Sequence, residues 1–558
     1  MPQFRGRRSL LVVPAIALLL SAAVPVAAEE PVEPARVRSF RPVTTFVVPG
    51  GGVAEIVSAT PDGETLIYTN AGAGEIGIVD ISDPANPIQV KTFAVGGEPT
   101  SVSVVPDGSL ALAVVKTSYL EEGEPPVITP GKLLAIEMPG GTIVGELEIG
   151  NGPDSIAITE IDGDVVAAIA IENEPTVVDG DGNLTDGEEP GDPGDISGPG
   201  FVQIVNLNED NISASQVTDV SFEGVEPDAQ PLFFPDDPQP EFIDIYNGVA
   251  AVTLQENNGV AMINLASKEI ESIFNTGVVD DRSADLDDND AISFSDTYPS
   301  DVSDEPFAGA RFPDAVAWST DGSAMYFADE GEFDFTGGRG WSMRSGSGAF
   351  IKDDGGALES TAVRFGAYPD GRSDAKGIEV EGLEIGVFGD REFLFVGSER
   401  GSFVAVYYLA TPTDARFVQL LPTGISPEGL LALPQRNLFV SSDEVTGTIS
   451  IFEGISTIYQ GTSTNPIVRS GNVNKPWSAL SGLAAAPAGT NQTTLFAVPD
   501  NALPSRIYNI EIPAVWPSHA DDAGAGHEGR AAGLLRSGGH RARYIDGGRA
   551  RARLLARF

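Results

Sequence analysis

The segment at residues 240–264 is the clearest copy of a unit that recurs along this chain. It opens with a proline and an acid, Pro240 and Glu241, and continues with three short apolar runs. Turn residues separate the runs, at Asn247 and Gly248 and again at residues 255–259. Runs this short leave no room for a helix, so the pattern predicts a meander of three β-strands.

Related units occur seven times along the chain. A single unit of this kind exposes apolar faces and must pack against neighbours. The repetition therefore predicts an all-β fold, a seven-bladed β-propeller over residues 53–470, with residues 40–48 supplying the strand that closes the last blade. The units begin at Glu55, Pro99, Pro153, Pro240, Pro313, Gly377 and Pro427.

Composition excludes several classes of chemistry. The chain of 558 residues has no cysteine, and its three histidines all follow residue 518. Ser-His and Cys-His catalysis and histidine-bound zinc are therefore excluded from the predicted propeller. The formal net charge of −48 disfavours nucleic acid and anionic lipid as partners and favours divalent cations.

The N-terminal residues have the pattern of a signal peptide. Arg5, Arg7 and Arg8 precede an apolar stretch, and Val26-Ala27-Ala28 has the small-residue pattern of a cleavage site. We expect residues 1–28 to be removed and the mature chain, which starts with a spacer at 29–52, to be extracellular, periplasmic or at the cell surface, without a membrane span. A retained membrane anchor is the alternative, although the stretch is short for one.

Two sets of acids recur at fixed places in the units. One set opens the first strand and the other follows the second strand, so both lie at the same end of a meander, where the first strand lines the propeller axis. We predict two acidic rings at the channel mouth that bind Ca²⁺, because a cation relieves their repulsion. The alternative is that these acids cap turns and loops. The first set is Glu55, Asp154, Glu241, Asp314, Glu379 and Glu428, and the second is Glu172, Glu256, Glu330, Glu399 and Glu444.

A further candidate for Ca²⁺ lies inside the third unit. Asp179, Asp181 and Asn183 alternate like the first half of a calcium loop. The twelfth position of such a loop is Pro190 here rather than a bidentate glutamate, so a solvated acidic loop is the alternative.

Several of these motifs resemble the bacterial surface-protein propellers called choice-of-anchor I. The resemblance covers about residues 53–453, and it implies a secreted propeller of a family often labelled alkaline phosphatase. Its motifs are Pro240-Glu241-Phe242-Ile243, Phe312-Pro313-Asp314, Ala328-Asp329-Glu330-Gly331, Ser398-Glu399-Arg400-Gly401 and Pro427-Glu428-Gly429-Leu430-Leu431.

The chain changes character after the seventh unit. Residues 471–515, with Trp477-Ser478-Ala479-Leu480 and Pro499-Asp500-Asn501, resemble the first blade of a phytase-like domain, which would form a truncated second β segment. Residues 516–558 contain eight arginines and few strand-forming runs. This basic tail is either a native arm or the product of a shifted reading frame, and we expect it not to fold.

Two functions are consistent with these features. The first is a metal-stabilised binding or scaffold module, with insertions at 172–200, 280–305 and 337–356 forming a recognition surface for an extracellular ligand. The alternative is a Ca²⁺-dependent phosphoesterase impaired by truncation, in which Lys376, Arg400 and Arg344 bind a phosphate ester. Neither a Gly-x-Ser-x-Gly elbow nor a phosphate-binding Gly-x-x-x-x-Gly-Lys loop is present.

Overall fold

The seven predicted blades are present as seven four-stranded antiparallel sheets. The prediction of an all-β, seven-bladed propeller is thereby confirmed. The computed structural model describes the chain except for residues 1–35, 119–127, 174–175, 179–183, 187–197, 226, 228–229, 290, 460, 462–468, 471–476, 478–479, 486–493, 500–507, 512–533 and 537–558.

The strands of each blade follow one another from the axis outward, except in blade 7. Blade 1 contains Val57–Ala59, Thr65–Asn70, Glu75–Asp80 and Ile88–Ala94. Blade 2 contains Glu98–Val104, Leu110–Lys116, Lys132–Glu137 and Thr142–Glu148. Blade 3 contains Pro153–Ile161, Asp164–Ile171, Phe201–Asn206 and Gln216–Ser221. Blades 4 and 5 contain Pro240–Tyr246, Val249–Leu254, Gly259–Asn264 and Glu269–Asn275; and Pro313–Trp318, Ala324–Asp329, Gly340–Ser345 and Phe350–Asp353. Blades 6 and 7 contain Leu383–Phe388, Arg391–Ser398, Phe403–Leu409 and Ala415–Pro422; and Pro427–Leu433, Leu438–Asp443, Thr448–Ile455 and Ser39–Val47.

The ring closes as the sequence predicts. Ser39–Val47 pairs antiparallel with Thr448–Ile455 and is the outermost strand of blade 7. Phe40 on this strand is fully buried, and its ring lies 4.9 to 5.3 Å, centroid to centroid, from three phenylalanines of blade 6. The N-terminal strand therefore joins blade 7 to blade 6 as well as the start of the propeller to its end.

Aspartates stabilise the turns between first and second strands. In blade 1, Oδ1 of Asp62 accepts hydrogen bonds from Thr60 Oγ1 at 2.6 Å and from the Glu64 N–H at 3.0 Å. The following Gly63 has a φ of 69°, a left-handed conformation that glycine adopts without strain. The same arrangement recurs at Asp321 in blade 5, which is why the Asp-Gly pairs mark this turn.

Two insertions differ from expectation. Residues 337–356 do not form a recognition loop, because they contain the third and fourth strands of blade 5, with Trp341 and Met343 buried in its core. Within 280–305, Arg282–Ala284 pairs with Asp296–Tyr298 in a small sheet of its own. The α-helix found among the described residues, Ala357–Phe365, connects blade 5 to blade 6. The glycines and serines in residues 337–356 favour a loop in a sequence-based prediction, so these two strands of blade 5 were not predicted.

The described parts of the C-terminal segment form a separate sheet. Its strands, in spatial order, are Arg469–Ser470, Leu534–Arg536, Tyr508–Glu511, Thr494–Pro499 and Leu480–Ala485. In the tail 516–558 the described residues are Leu534–Arg536, which form a strand of this sheet, and the expectation that the tail does not fold stays a prediction. The rest of the tail and the predicted signal peptide lie outside the described residues. In the part of the chain that is described, no helix is long and apolar enough to cross a bilayer.

Candidate functional site

Seven equivalent positions on the innermost strands surround one mouth of the axial channel. Each stands two residues before an apolar residue such as Val57, and six of the seven carry a carboxylate. The seven are Glu55, Thr100, Asp154, Glu241, Asp314, Glu381 and Glu428. They line a cavity of about 410 Å³, which is also lined by Glu98, Glu330, Glu399 and Glu444. We call the ten carboxylates of this cavity the acidic mouth.

Irregular strand pairing directs these acids toward the axis. In blade 4 the register shifts between Pro240 and Ile243, and the same shift follows the proline in blades 2, 3, 5 and 7. Proline has no N–H to donate to the neighbouring strand, so it favours a bulge at this position, and a bulge redirects the side chain that follows. The Pro-acid pair is therefore the local cause of the ring position in blades 3, 4, 5 and 7, whereas Glu55 and Glu381 follow Ala54 and Val380.

Below the mouth, a second cavity of about 450 Å³ continues between the innermost strands. Asp244 Oδ2 accepts a hydrogen bond of 2.7 Å from the Trp318 N–H of the next blade, and Glu384 Oε1 accepts one of 3.2 Å from the Ala432 N–H. These acids lie three residues after Glu241 and Glu381. They join adjacent blades, and burial raises the pKa of Glu384 to about 8.

Burial and mutual repulsion raise the carboxyl pKa values of the mouth. The pKa of Glu55 rises to about 7, mainly through burial and then through the charge of Glu444. Burial is also the largest cause of the strongly raised pKa values of Glu241, Asp314 and Glu428, and neighbouring carboxylates add to it. Several of these groups must therefore hold a proton or share a bound cation at neutral pH.

The basic side chains near the mouth lie on the side of blades 5 and 6. Lys376 Nζ is 2.6 Å from Glu330 Oε1, and Arg400 Nη1 is 2.7 Å from Glu399 Oε1. Elsewhere in the ring, among the described residues, Glu241 and Glu428 form no salt bridge, and Glu241 Oε2 is buried without a hydrogen-bond partner. The negative charge of the mouth is therefore only partly balanced by the protein itself.

A family model for the choice-of-anchor I domain matches residues 55–334 and 333–412. The chain belongs to the choice-of-anchor I family. Two solved structures are similar at low identity. Kuenenia stuttgartiensis hydrazine synthase is 12% identical with a TM-score of 0.46, over 74% of this chain and 98% of that chain. The β-propeller domain of Myceliophteria thermophila Cps50 (Swd1) is 9% identical with a TM-score of 0.44, over 75% and 100%. A search of curated proteins finds no match.

In this choice-of-anchor I propeller, eight of the eleven acids predicted to form rings line the acidic mouth. They are Glu55, Asp154, Glu241, Asp314, Glu428, Glu330, Glu399 and Glu444. Glu172 and Glu256 do not line the cavity itself, but the charges of both act on Glu241 and raise its pKa. The two sets of the repeat do meet at one end of the propeller.

Glu379 is not at the ring position of blade 6, which belongs to Glu381. Glu379 is fully buried and accepts hydrogen bonds from Arg372 and, at 2.6 Å, from Arg400 Nε. A signal for the correct residue was present in the sequence, because Glu381-Gly382-Leu383 repeats the pattern of Glu428-Gly429-Leu430. Glu98 of blade 2 was also missed, since it precedes the proline of its unit rather than following it.

The three basic residues predicted to bind a phosphate ester lie in two different places. Lys376 and Arg400 lie beside the mouth, as described above. Arg344 lies between blades 4 and 5 instead, where it donates hydrogen bonds to the Thr276 and Gly348 carbonyls and stacks on Phe274 with 5.1 Å from guanidinium carbon to ring centroid. Asp179, Asp181 and Asn183 lie outside the described residues, between the paired strands Thr176–Val178 and Leu184–Asp186.

The raised pKa values predict that stability falls as pH rises from about 4.5 to about 7. Within this window the folded Glu55 keeps a proton that the unfolded chain has released, and the folded state therefore loses stability with increasing pH. We expect the thermal midpoint at low salt, without divalent cations, to be higher at pH 5 than at pH 8. Glu55→Gln should reduce this slope.

Glu269→Gln is the matched control, because it removes the same charge from an exposed outer strand of blade 4. It should leave the slope nearly unchanged. Equal slopes in Glu55→Gln and Glu269→Gln would mean that general surface repulsion, not the acidic mouth, sets the pH dependence.

Proposed function

We propose that this propeller is an extracellular or cell-surface binding module that is stabilised by divalent cations, with Ca²⁺ bound at the acidic mouth. The observation that carries the proposal is the cavity of about 410 Å³ with ten carboxylates. Concentrating like charges in a partly buried space is unfavourable unless protons or cations neutralise them. Divalent ions neutralise two charges each and would hold the inner strands of different blades together.

The donor atoms suit a hard cation. The cavity offers carboxylate oxygens together with hydroxyls of Thr100, Ser101 and Ser155, which is the ligand chemistry that Ca²⁺ prefers. Among the described residues, however, no three acidic or histidine side chains are arranged to hold one ion. We therefore expect each ion to keep much of its water and to bind weakly, with a Kd of about 10⁻⁴ to 10⁻³ M, as in other extracellular modules.

A Ca²⁺-dependent phosphoesterase is the second candidate, favoured by Lys376 and Arg400 beside carboxylates. Both cations are already engaged, with Glu330 and with Glu379 and Glu399. Hydrolysis would also require carboxylates that converge on one ion, so a widely spaced acidic ring fits a binding module better. Hydrolysis of p-nitrophenyl phosphate that depends on Ca²⁺ and is lost in Glu330→Gln would favour the enzyme instead.

The test of the binding proposal is calorimetric titration with CaCl₂, combined with thermal unfolding. Wild-type protein should bind Ca²⁺ and gain stability, by about 2.7 kcal/mol when free ligand is a hundred times Kd. The double substitution Glu241→Gln with Asp314→Asn should weaken binding about tenfold or more, because it removes two adjacent ring charges. Glu269→Gln should bind like the wild type. A midpoint unmoved by Ca²⁺ or chelator would contradict the proposal.

A further inference from the structure

The helix Ala357–Phe365 is fixed firmly to the propeller. Leu358, Ala362 and Val363 on one side of it are fully buried against blades 5 and 6. Phe365 at its end meets Phe417 of blade 6 in an edge-on contact with 6.4 Å between ring centroids. The helix is thus a rigid part of the propeller, although none of its residues belongs to a blade.

The C-terminus of this helix contacts a residue from far along the chain. The indole Nε1 of Trp477 donates a hydrogen bond of 2.9 Å to the carbonyl of Arg364. Carbonyls in the last turn of a helix have no partner within the helix, so they accept from outside groups. Trp477 lies three residues before the start of the first long strand of the C-terminal sheet, Leu480–Ala485.

Gly366 makes room for this contact. It ends the helix with a φ of 75°, a conformation that favours glycine. A Cβ atom at this position would lie 2.9 Å from Trp477 Cδ2 and 2.8 Å from the Trp477 carbonyl oxygen. Any side chain here would therefore be both strained and in collision with the tryptophan.

A second strand of the same sheet lies against the helix. Arg469–Ser470, the edge strand of the C-terminal sheet, contacts the helix, and Ser470 is almost fully buried. Burial of the Arg469 guanidinium lowers its pKa, and repulsion by the charge of Arg364 on the helix lowers it further. Two separate points of the C-terminal segment, Arg469–Ser470 and Trp477, therefore contact the helix.

From these contacts we infer that the helix Ala357–Phe365 is the docking site of the chain's own C-terminal β-sheet, with Trp477 as its anchor. A single-layer sheet leaves an apolar face exposed to water unless another element packs against it. The contacts join the sheet to the connection between blades 5 and 6, although blade 7 is the blade that precedes the segment along the chain.

The test compares full-length variants by hydrogen–deuterium exchange and limited proteolysis. Trp477→Ala should speed amide exchange in the last helical turn, residues 362–366, by about tenfold, and cleavage between propeller and sheet by a similar factor, because a hydrogen bond and a ring contact are lost. Phe496→Ala is the matched control, since it removes an exposed aromatic ring from the same sheet. It should leave the exchange of the helix unchanged.

Gly366→Ala tests the same contact from the propeller side and leaves the sequence of the sheet intact. It should release Trp477, which is measured as a red shift and a loss of intensity of the tryptophan emission. In a Trp477→Phe background, Gly366→Ala should no longer change the emission. Release of the sheet in both Trp477→Ala and Gly366→Ala supports the docking site. Unchanged proteolysis and emission in both variants would overturn it.

Discussion

Replacing Arg339 with methionine should lower the free energy of unfolding by about 3 to 5 kcal/mol, the cost of breaking a buried ion pair by removing one partner. Arg339 is fully buried, and its Nη1 lies 3.6 Å from Glu359 Oε1 of the helix. Its Nη2 donates to the Ser373 and Ala375 carbonyls at 2.8 and 2.9 Å. Methionine fills similar volume but leaves the Glu359 carboxylate without its ion-pair partner and the Ser373 carbonyl without this donor, whereas the Ala375 carbonyl keeps the Phe335 N–H.

Two further variants separate this effect from general destabilisation. Arg416→Met removes an exposed arginine whose partner is Asp414, and it should cost less than about 1 kcal/mol. The double substitution Arg339→Met with Glu359→Gln removes the uncompensated charge and should recover part of the loss. Equal unfolding midpoints in urea for Arg339→Met and Arg416→Met would show that the buried network contributes little.

The same network reaches the acidic mouth. The segment that Arg339 holds, at Ser373 and Ala375, is followed directly by Lys376, which pairs with Glu330 at the cavity. The guanidinium of Arg339 also stacks 4.8 Å above Tyr298, whose hydroxyl donates to the Gly337 carbonyl at 2.7 Å. Loss of Arg339 should therefore loosen the basic side of the mouth in addition to destabilising the fold.

Phe40→Ala should cost about 3 to 5 kcal/mol, the usual range for removing a buried phenylalanine. Its ring fills a fully buried cluster with Phe388, Phe393 and Phe395 of blade 6. The backbone N–H and carbonyl of Phe40 each form a 2.9 Å hydrogen bond with the amide of Gln419. A cavity at this position weakens the junction at which the ring closes, and a thermal or urea unfolding curve measures the loss.

Val47→Ala provides the comparison for Phe40→Ala, because it lies on the same closing strand but is 63% exposed. It should change stability by less than about 0.5 kcal/mol. A Phe40→Ala variant as stable as Val47→Ala would indicate that the N-terminal strand is not needed to hold blades 6 and 7 together.

Much of this architecture could be predicted from local patterns. The number of blades follows from counting units, and six of the seven are marked by an Asp-Gly turn or a Pro-acid pair whose conformation depends on adjacent residues. The closing strand follows because a ring needs its ends joined. Most acids of the mouth were found for the same reason, since equivalent positions in equivalent strands must meet at the axis.

Local patterns failed where composition or spacing departed from the repeat. Residues 340–353 read as a glycine-rich loop, yet they form two strands, because burial of Trp341 and Met343 in the blade core outweighs the weak strand preference of their neighbours. In blade 6 the spacing between Glu379 and the strand is two residues longer than in other units. Glu379 is the acid nearest Gly377, the predicted start of the sixth unit, but Glu381 is the acid that lines the acidic mouth.

The sequence by itself determined the propeller, its closure and the end at which the acids collect, because these depend on residues that are neighbours along the chain or repeats of one another. Only the tertiary structure decided that Lys376 and Arg400 pair with acids of the mouth, that Arg344 is buried between blades, and that Trp477 meets the helix after blade 5. Those contacts join residues from distant segments, and a long side chain of given type can reach many partners. Which partner it meets is decided when the blades and connections pack together.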